Sequence, residues 1–208
     1  NVIDAGAYLG NHSVYFSNHF KNVLSFEPNP YSYELLKLNT KSRKNIKIFN
    51  AGLSNRSSIK DFYNYEINHG GSSIIKNKDI PYTKYRAKFH NLDQLNLKKK
   101  IDLIKIDVEG HELNVLKGMV KTLKKSNPII IFESQKNEII NGTSRTINFL
   151  KSKGYSKFYS IENYPNTNIN IFHKFVYYIR FIFFSRKKYI VRKKKFESKF
   201  YTFIIAEK

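Results

Sequence analysis

Residues 2–13 read Val2-Ile3-Asp4-Ala5-Gly6-Ala7-Tyr8-Leu9-Gly10-Asn11-His12-Ser13. A short strand ends on an acid, one glycine turns the chain, and a second glycine opens a helix. In an open parallel sheet, ligands bind outside the carboxyl ends of the strands, at the point where strand order reverses. Dinucleotide folds place G-x-G-x-x-G at this turn. Here the spacing is G-x-x-x-G, with Asp4 at the strand's end. An acid there repels a pyrophosphate and suits a cationic or zwitterionic ligand, which favours S-adenosylmethionine over NAD. Gly6 is expected to turn the chain tightly and bring backbone N–H groups to that ligand, and Gly10 to let the next helix pack closely.

The next strand, Asn22-Val23-Leu24-Ser25-Phe26-Glu27, ends on a carboxylate 23 residues after Asp4. Nucleotide-binding βαβ units hold a ribose diol at this separation. Glu27-Pro28-Asn29-Pro30 then turns into a helix. A third cluster, Ile101-Asp102-Leu103-Ile104-Lys105-Ile106-Asp107-Val108-Glu109-Gly110-His111-Glu112-Leu113, delivers four ionisable groups at the end of a buried strand. Such crowding perturbs pKa values and makes this the candidate active-site wall. Glu112 is read as structural, because an acid in a helix's first turn complements the dipole. His111 is read either as a general base, with an ordinary pKa of about 6.5, or as a solvated helix-start side chain.

Working outward, apolar runs near 1–5, 22–27, 46–50, 101–107, 128–133, 155–161 and 199–206 alternate with helical patterns at 30–41, 111–125 and 143–153, the last capped by Thr143. This predicts one α/β domain over residues 1–208, doubly wound, with a mostly parallel seven-stranded sheet. Residues 55–98 break the rhythm with two alternating segments around Gly70-Gly71-Ser72-Ser73, which predicts an antiparallel insertion over the sheet's carboxyl edge. Residues 165–197 form a second, basic and aromatic insertion before the last strand. Within it Phe172, Phe175, Val176, Ile179, Ile182 and Phe183 make one apolar helical stripe, too short and too charged to cross a bilayer. We read the stripe as a lid or packing helix first. Peripheral contact of 172–195 with an anionic membrane is the second reading.

The chain has 208 residues and a formal charge of +21, from 37 Lys+Arg against 16 Asp+Glu. Its 41% hydrophobic and 15% aromatic content exclude a disordered polycation. Of the basic residues 30 are Lys and 7 are Arg, alongside 23 Asn and 25 Ile against 5 Ala. Arg is the preferred fork for phosphate and base recognition, so much of the charge reads as compositional bias. Excess charge is densest at 163–208, with 11 basic and 2 acidic residues. The absence of Cys removes disulfides and thiolate chemistry and fits a cytoplasmic, reducing setting, with membrane association through 172–195 the variant. Because the sequence opens at Asn1 inside a strand, we read it as an N-terminally trimmed domain.

Several stretches together carry a resemblance: Asp4 to Gly10, Phe26-Glu27-Pro28-Asn29-Pro30, Ala51-Gly52-Leu53-Ser54, Gly70-Gly71-Ser72-Ser73, Asn91-Leu92-Asp93, and above all Ile101 to Gly118. Over roughly residues 1–135 the chain resembles the FkbM-type S-adenosylmethionine-dependent methyltransferases. The resemblance implies a class I methyltransferase (Rossmann-like) fold and methyl transfer to a hydroxyl of a sugar, polyketide or lipid-like acceptor. It also implies cofactor roles for Asp4, Gly6, Glu27 and Asp107. Tyr8, Ser13 and Pro28, on the same turns, complete the expected S-adenosylmethionine contacts. Tyr8 departs from the pattern, standing where methyltransferases of this class have a second Gly and this family often Asn. Beyond residue 140 little matches.

Alcohol methylation needs an in-line approach and a base for the hydroxyl proton. The expected catalytic residues are Glu109 or His111 as that base, and Glu133, ending Ile129-Ile130-Ile131-Phe132-Glu133, to orient the acceptor. No metal site is assigned; a carboxylate pair holding a divalent cation ranks second. An RNA or DNA methyltransferase is the alternative enzyme. It is disfavoured because the acidic Asp107-Val108-Glu109-Gly110 turn repels phosphates. A non-catalytic, membrane-associated scaffold is the alternative outside enzymes.

Overall fold

A computed structural model of the chain describes residues 1–65, 74, 80–163 and 188–208. In chain order its strands are β1 (Val2–Ala5), β2 (Val23–Phe26), β3 (Ile46–Phe49), β4 (Gly52–Leu53), β5 (Ser58–Tyr65), β6 (Tyr82–His90), β7 (Leu103–Ile106), β8 (Ile129–Ser134), β9 (Lys157–Asn163), β10 (Lys188–Arg192) and β11 (Tyr201–Glu207). The helices are α1 (Asn11–Ser17), α2 (Pro30–Thr40), α3 (Glu112–Lys117), α4 (Val120–Ser126) and α5 (Arg145–Ser152).

β1 and β7 read as apolar runs, each broken by a single charge, because both of their faces are covered. Every residue of β1 is out of solvent, and Ile3, Phe26, Ile104, Ile106, Ile130 and Phe132 are fully buried in one core. Each such side chain contributes about 1.5–3 kcal/mol relative to leaving it exposed. The main sheet runs β10-β9-β11-β8-β7-β1-β2-β3. β8, β7, β1, β2 and β3 are parallel, while β11 runs antiparallel between β8 and β9. This is the α/β class I methyltransferase architecture. Each of the seven expected strands forms, and β10, antiparallel to β9, adds an eighth from within the stretch 165–197. The rest of that stretch lies outside the described residues, as do Gly70 to Ser73 and Phe172 to Phe183 of the apolar stripe. Among the described residues no helix is long and apolar enough to cross a membrane.

The chain steps from β1 outward to β2 and β3, then returns to the other side of β1 as β7. The switch point therefore lies between β1 and β7. The antiparallel insertion is present as β5 paired with β6 from Ser58↔Phe89 to Tyr65↔Tyr82, with β4 on the other edge of β6.

Two helical expectations change. The pattern at 111–125 is two helices, because Gly118 presses on the backbone of β4's neighbour: a Cβ there would lie 2.0 Å from the Ser54 carbonyl oxygen. The Gly118 carbonyl accepts from Asp93 N, and Asp93 caps α4 by accepting from Lys121 N and Thr122 N at 2.7 and 2.9 Å. For α5 the cap is Ser144, which accepts from Ile147 N at 3.2 Å, while Thr143 donates to Asn148.

Candidate active site

At the switch point the β1 turn and the β7 turn meet. A Cβ on Gly6 would lie 1.8 Å from the Asp107 carbonyl oxygen, and Gly6 has φ +79°. Only glycine satisfies both demands. Within this turn Gly6 N and Ala7 N both donate to the Phe26 carbonyl, and Tyr8 N donates to Glu27 Oε2 at 2.8 Å, so these three N–H groups are engaged inside the protein. Tyr8 nevertheless keeps a left-handed backbone, with φ +48°, so its departure from glycine changes the side chain and not the turn.

Beside this contact lies a cavity of about 340 Å³, a size suited to a small cofactor. Its wall includes Gly6, Tyr8, Glu27 and Pro28 from the first two turns, Asp107, Glu109 and His111 from the third, and Leu53, Phe62, Ile74 and Phe89 from the insertion side. Seven of the ten expected site residues thus converge on one cavity.

The other three sit behind the wall. Asp4 is fully buried, its Oδ2 accepting from Ser13 Oγ at 2.6 Å, and Ser13 Oγ is also 2.8 Å from Ser25 Oγ. Glu133 accepts from Gln135 Nε2 at 3.2 Å, and its carboxyl oxygen lies within 4.8 Å of those of Asp107 and Glu109. A residue not anticipated joins these groups. Lys105, in register with Asp4 across β1 and β7, places its ammonium 3.4 Å from Asp4 Oδ1, 3.2 Å from Asp107 Oδ2 and 3.3 Å from the Gly6 carbonyl. A lysine flanked by isoleucines in a buried strand was the available signal, since such a charge must be paired.

Burial and crowding set the protonation pattern. Glu27 is pushed up to about 7 by burial, despite accepting N–H bonds from Asn29 and Tyr8. Glu133 is pushed up to about 9 by burial, by its hydrogen bond with Asp107 and by the charges of Glu109 and Asp107. It therefore carries a proton at neutral pH. Glu109 is raised by burial and by Asp107, and it holds φ +51°. Strain of this kind persists at functional sites when neighbours enforce it. Glu112 is the enforcer: its Oε1 accepts from Val108 N at 3.3 Å and Gly110 N at 3.1 Å, and burial raises it to about 7.

His111 is pushed down to about 4 by burial and by the charge of Lys60. Asn114 Nδ2 lies 3.2 Å from its Nδ1 and can only donate, so the ring proton is on Nε2, which donates to Ser54 Oγ at 3.0 Å. The imidazole is neutral and tied at both nitrogens, an arrangement unsuited to accepting a proton. Asp107, Glu109 and Glu133 together could hold a divalent cation or share a proton.

Residues 4–157 match the model of the methyltransferase FkbM domain. A hexuronic acid methyltransferase, AglP, of Haloferax volcanii is 31% identical over 129 residues, which are 62% of this chain and 53% of that protein. The chain thus spans about half the length of that relative. Among solved structures, the FkbM methyltransferase of Methylobacillus flagellatus aligns at 17% identity and TM-score 0.45 over 64% of this chain and 32% of its own. Precorrin-6y C5,15-methyltransferase of Geobacter metallireducens aligns over the whole of this chain and 80% of its own, at 16% identity and TM-score 0.51. That likeness is one of fold.

Proposed function

We propose, for a chain that belongs to the methyltransferase FkbM family, that the cavity at the β1–β7 switch point methylates a hydroxyl of a sugar acceptor. S-adenosylmethionine is the donor that membership of this family implies. The residues present suit it: the described wall bears the acids Glu27, Asp107 and Glu109, no Lys or Arg, and a His111 that is neutral at pH 7. Such a wall favours a sulfonium and an ammonium and disfavours a pyrophosphate. Glu27, the residue after β2, would take a ribose diol, and Leu53, Phe62 and Phe89 offer apolar surface.

The donor supplies an electrophilic methyl carbon: the new O–CH₃ bond forms as the S–CH₃ bond breaks, leaving a neutral thioether. The protein's part is to hold the acceptor oxygen in line and to take its proton. The observation that carries this reading is geometric: Asp107 and Glu109 line the cavity, and their carboxyl oxygens lie within 4.8 Å of each other and of Glu133. Glu133, behind the wall, acts on the acceptor only through its neighbours, as a hydrogen-bond partner of Asp107. Glu109, on the cavity wall and made more basic by burial and by Asp107, receives the hydroxyl proton. The hexuronic acid named for the Haloferax volcanii relative supports a sugar acceptor. The same acidic wall argues against RNA or DNA.

Transfer of a labelled methyl group to a panel of neutral and acidic glycosides, with and without chelator, tests the reading. We expect methylated sugar hydroxyls, a rate about 100-fold lower in Glu109→Gln, and no effect of chelator. Transfer only to nucleic acid or lipid overturns the sugar acceptor. Loss on chelation moves hydroxyl activation to a cation held by Asp107, Glu109 and Glu133.

A further inference from the structure

Lys60 alternates with Phe62 along β5 and pairs with Ala87 of β6, which puts it on the same face of the small sheet as Phe62 and Phe89, two residues of the cavity wall. Its ammonium donates to Ser54 Oγ at 2.9 Å and lies 5.6 Å from the centre of the Phe89 ring. Ser54 Oγ is in turn the partner of His111 Nε2. One of the three ammonium donors is thereby used. On the opposite face of the same sheet Lys84 and Arg86 flank Asp61, but among the described residues no carboxylate pairs with Lys60. Burial lowers its pKa with no acidic charge working the other way.

A partly desolvated cation without a counter-charge is an anion-binding group. It stands just outside the wall of a cavity whose charged lining groups are acids, next to Phe89 and, through Ser54, to His111, so an anionic group of an acceptor finds a counter-charge on that side. We infer that Lys60 receives the carboxylate of an acidic sugar acceptor and so selects a uronic acid over the neutral hexose of the same configuration. The inference rests on the sugar-acceptor reading above and adds the acceptor's charge to it. The formal charge of +21 acts in the same direction, drawing an anionic acceptor to the protein. Lys60 differs in this from the acids of the wall: it touches neither the methyl group nor the hydroxyl, and fixes which end of the acceptor faces inward.

Two measurements keep the inference and its premise apart. In the first, the full chain saturated with S-adenosylhomocysteine is titrated calorimetrically with methyl glucuronoside and with methyl glucoside. We expect the uronoside to bind about tenfold more tightly, as one charge-assisted hydrogen bond at a half-exposed site implies. That preference should vanish in Lys60→Met and in Lys60→Gln and return in Lys60→Arg. A preference unchanged in Lys60→Met or Lys60→Gln, or absent from the wild-type chain, overturns the role of Lys60 and leaves the sugar reading standing. In the second, methyl transfer to the same two glycosides is followed by mass spectrometry. Transfer to both, with the uronoside favoured, supports the inference; transfer to neither sugar overturns the premise and the inference together.

Discussion

Lys105 Nζ lies 3.4 Å from Asp4 Oδ1, and the two residues face each other in register on the central pair of strands, β1 and β7. Both side chains are out of solvent, and the same ammonium reaches Asp107 at the cavity wall. One buried cation therefore ties the buried acid of β1 to the acidic edge of the cavity.

Removing it leaves a buried carboxylate without compensation. Breaking a buried pair from one side costs about 3–5 kcal/mol. Lys105→Met should therefore lower the denaturant midpoint by a corresponding amount, and Lys105→Met combined with Asp4→Asn should recover part of it. A double variant no more stable than the single one would show that Asp4 is not the group being compensated.

Gly6 and Gly154 separate two uses of glycine. Both have positive φ, +79° and +88°, but a Cβ at Gly6 would meet the Asp107 carbonyl at 1.8 Å, whereas at Gly154 the nearest atom is Lys208 Cε at 3.8 Å. Gly154→Ala should cost only the conformational strain, about 1–2 kcal/mol. Gly6→Ala should cost clearly more and abolish S-adenosylmethionine binding by calorimetry, because β1 and β7 must part to admit the methyl group.

The proton on Glu133 gives stability a pH dependence of definite sign. Its pKa stands near 9 in the folded chain against an ordinary 4.5, so the folded state binds a proton that the unfolded state releases. The contribution is full below about pH 4.5 and is lost as pH rises through 9. Melting temperature should fall between pH 7.5 and 9.5, and Glu133→Gln should flatten that fall. Glu27 and Glu112, near 7, add their own losses at lower pH.

His111 behaves oppositely. With its pKa pushed down to about 4, its contribution is present above 6.5 and lost as pH falls through 4. Its ring-proton NMR shifts should stay constant between pH 8 and 5.5, where a solvated histidine would titrate. A midpoint near 6.5 would restore it as a candidate base.

The fold was largely legible in the sequence because strands buried on both faces announce themselves as apolar runs. The glycine turn and the acids ending β1, β2 and β7 likewise marked the switch point. What escaped were relations between segments distant in sequence. Nothing in the pattern at 111–125 reveals that Ser54 presses on Gly118, so one helix was expected where two exist. Asn91-Leu92-Asp93 carried family likeness, yet the role of Asp93 as the cap of α4 is visible only once residues 93 and 121 are brought together. Lys105 and Lys60 were hidden for the same reason. Each sits one strand away from the acid or the ring that gives it meaning, and a basic chain offers many lysines among which to overlook two.

The place of β11 between β8 and β9 has a kinetic consequence. During synthesis β8 and β9 emerge without the strand that lies between them, and each presents an open edge until residues 201–207 follow. Strand edges left open in this way are templates for pairing with other chains. The nascent protein thus passes through a stage at which the switch point and its cavity are already framed by β1, β2, β3 and β7, while the sheet that supports them remains divided. A chain cut before Tyr201 stays at that stage. It should aggregate in proportion to its concentration, whatever the intrinsic stability of the half that frames the cavity.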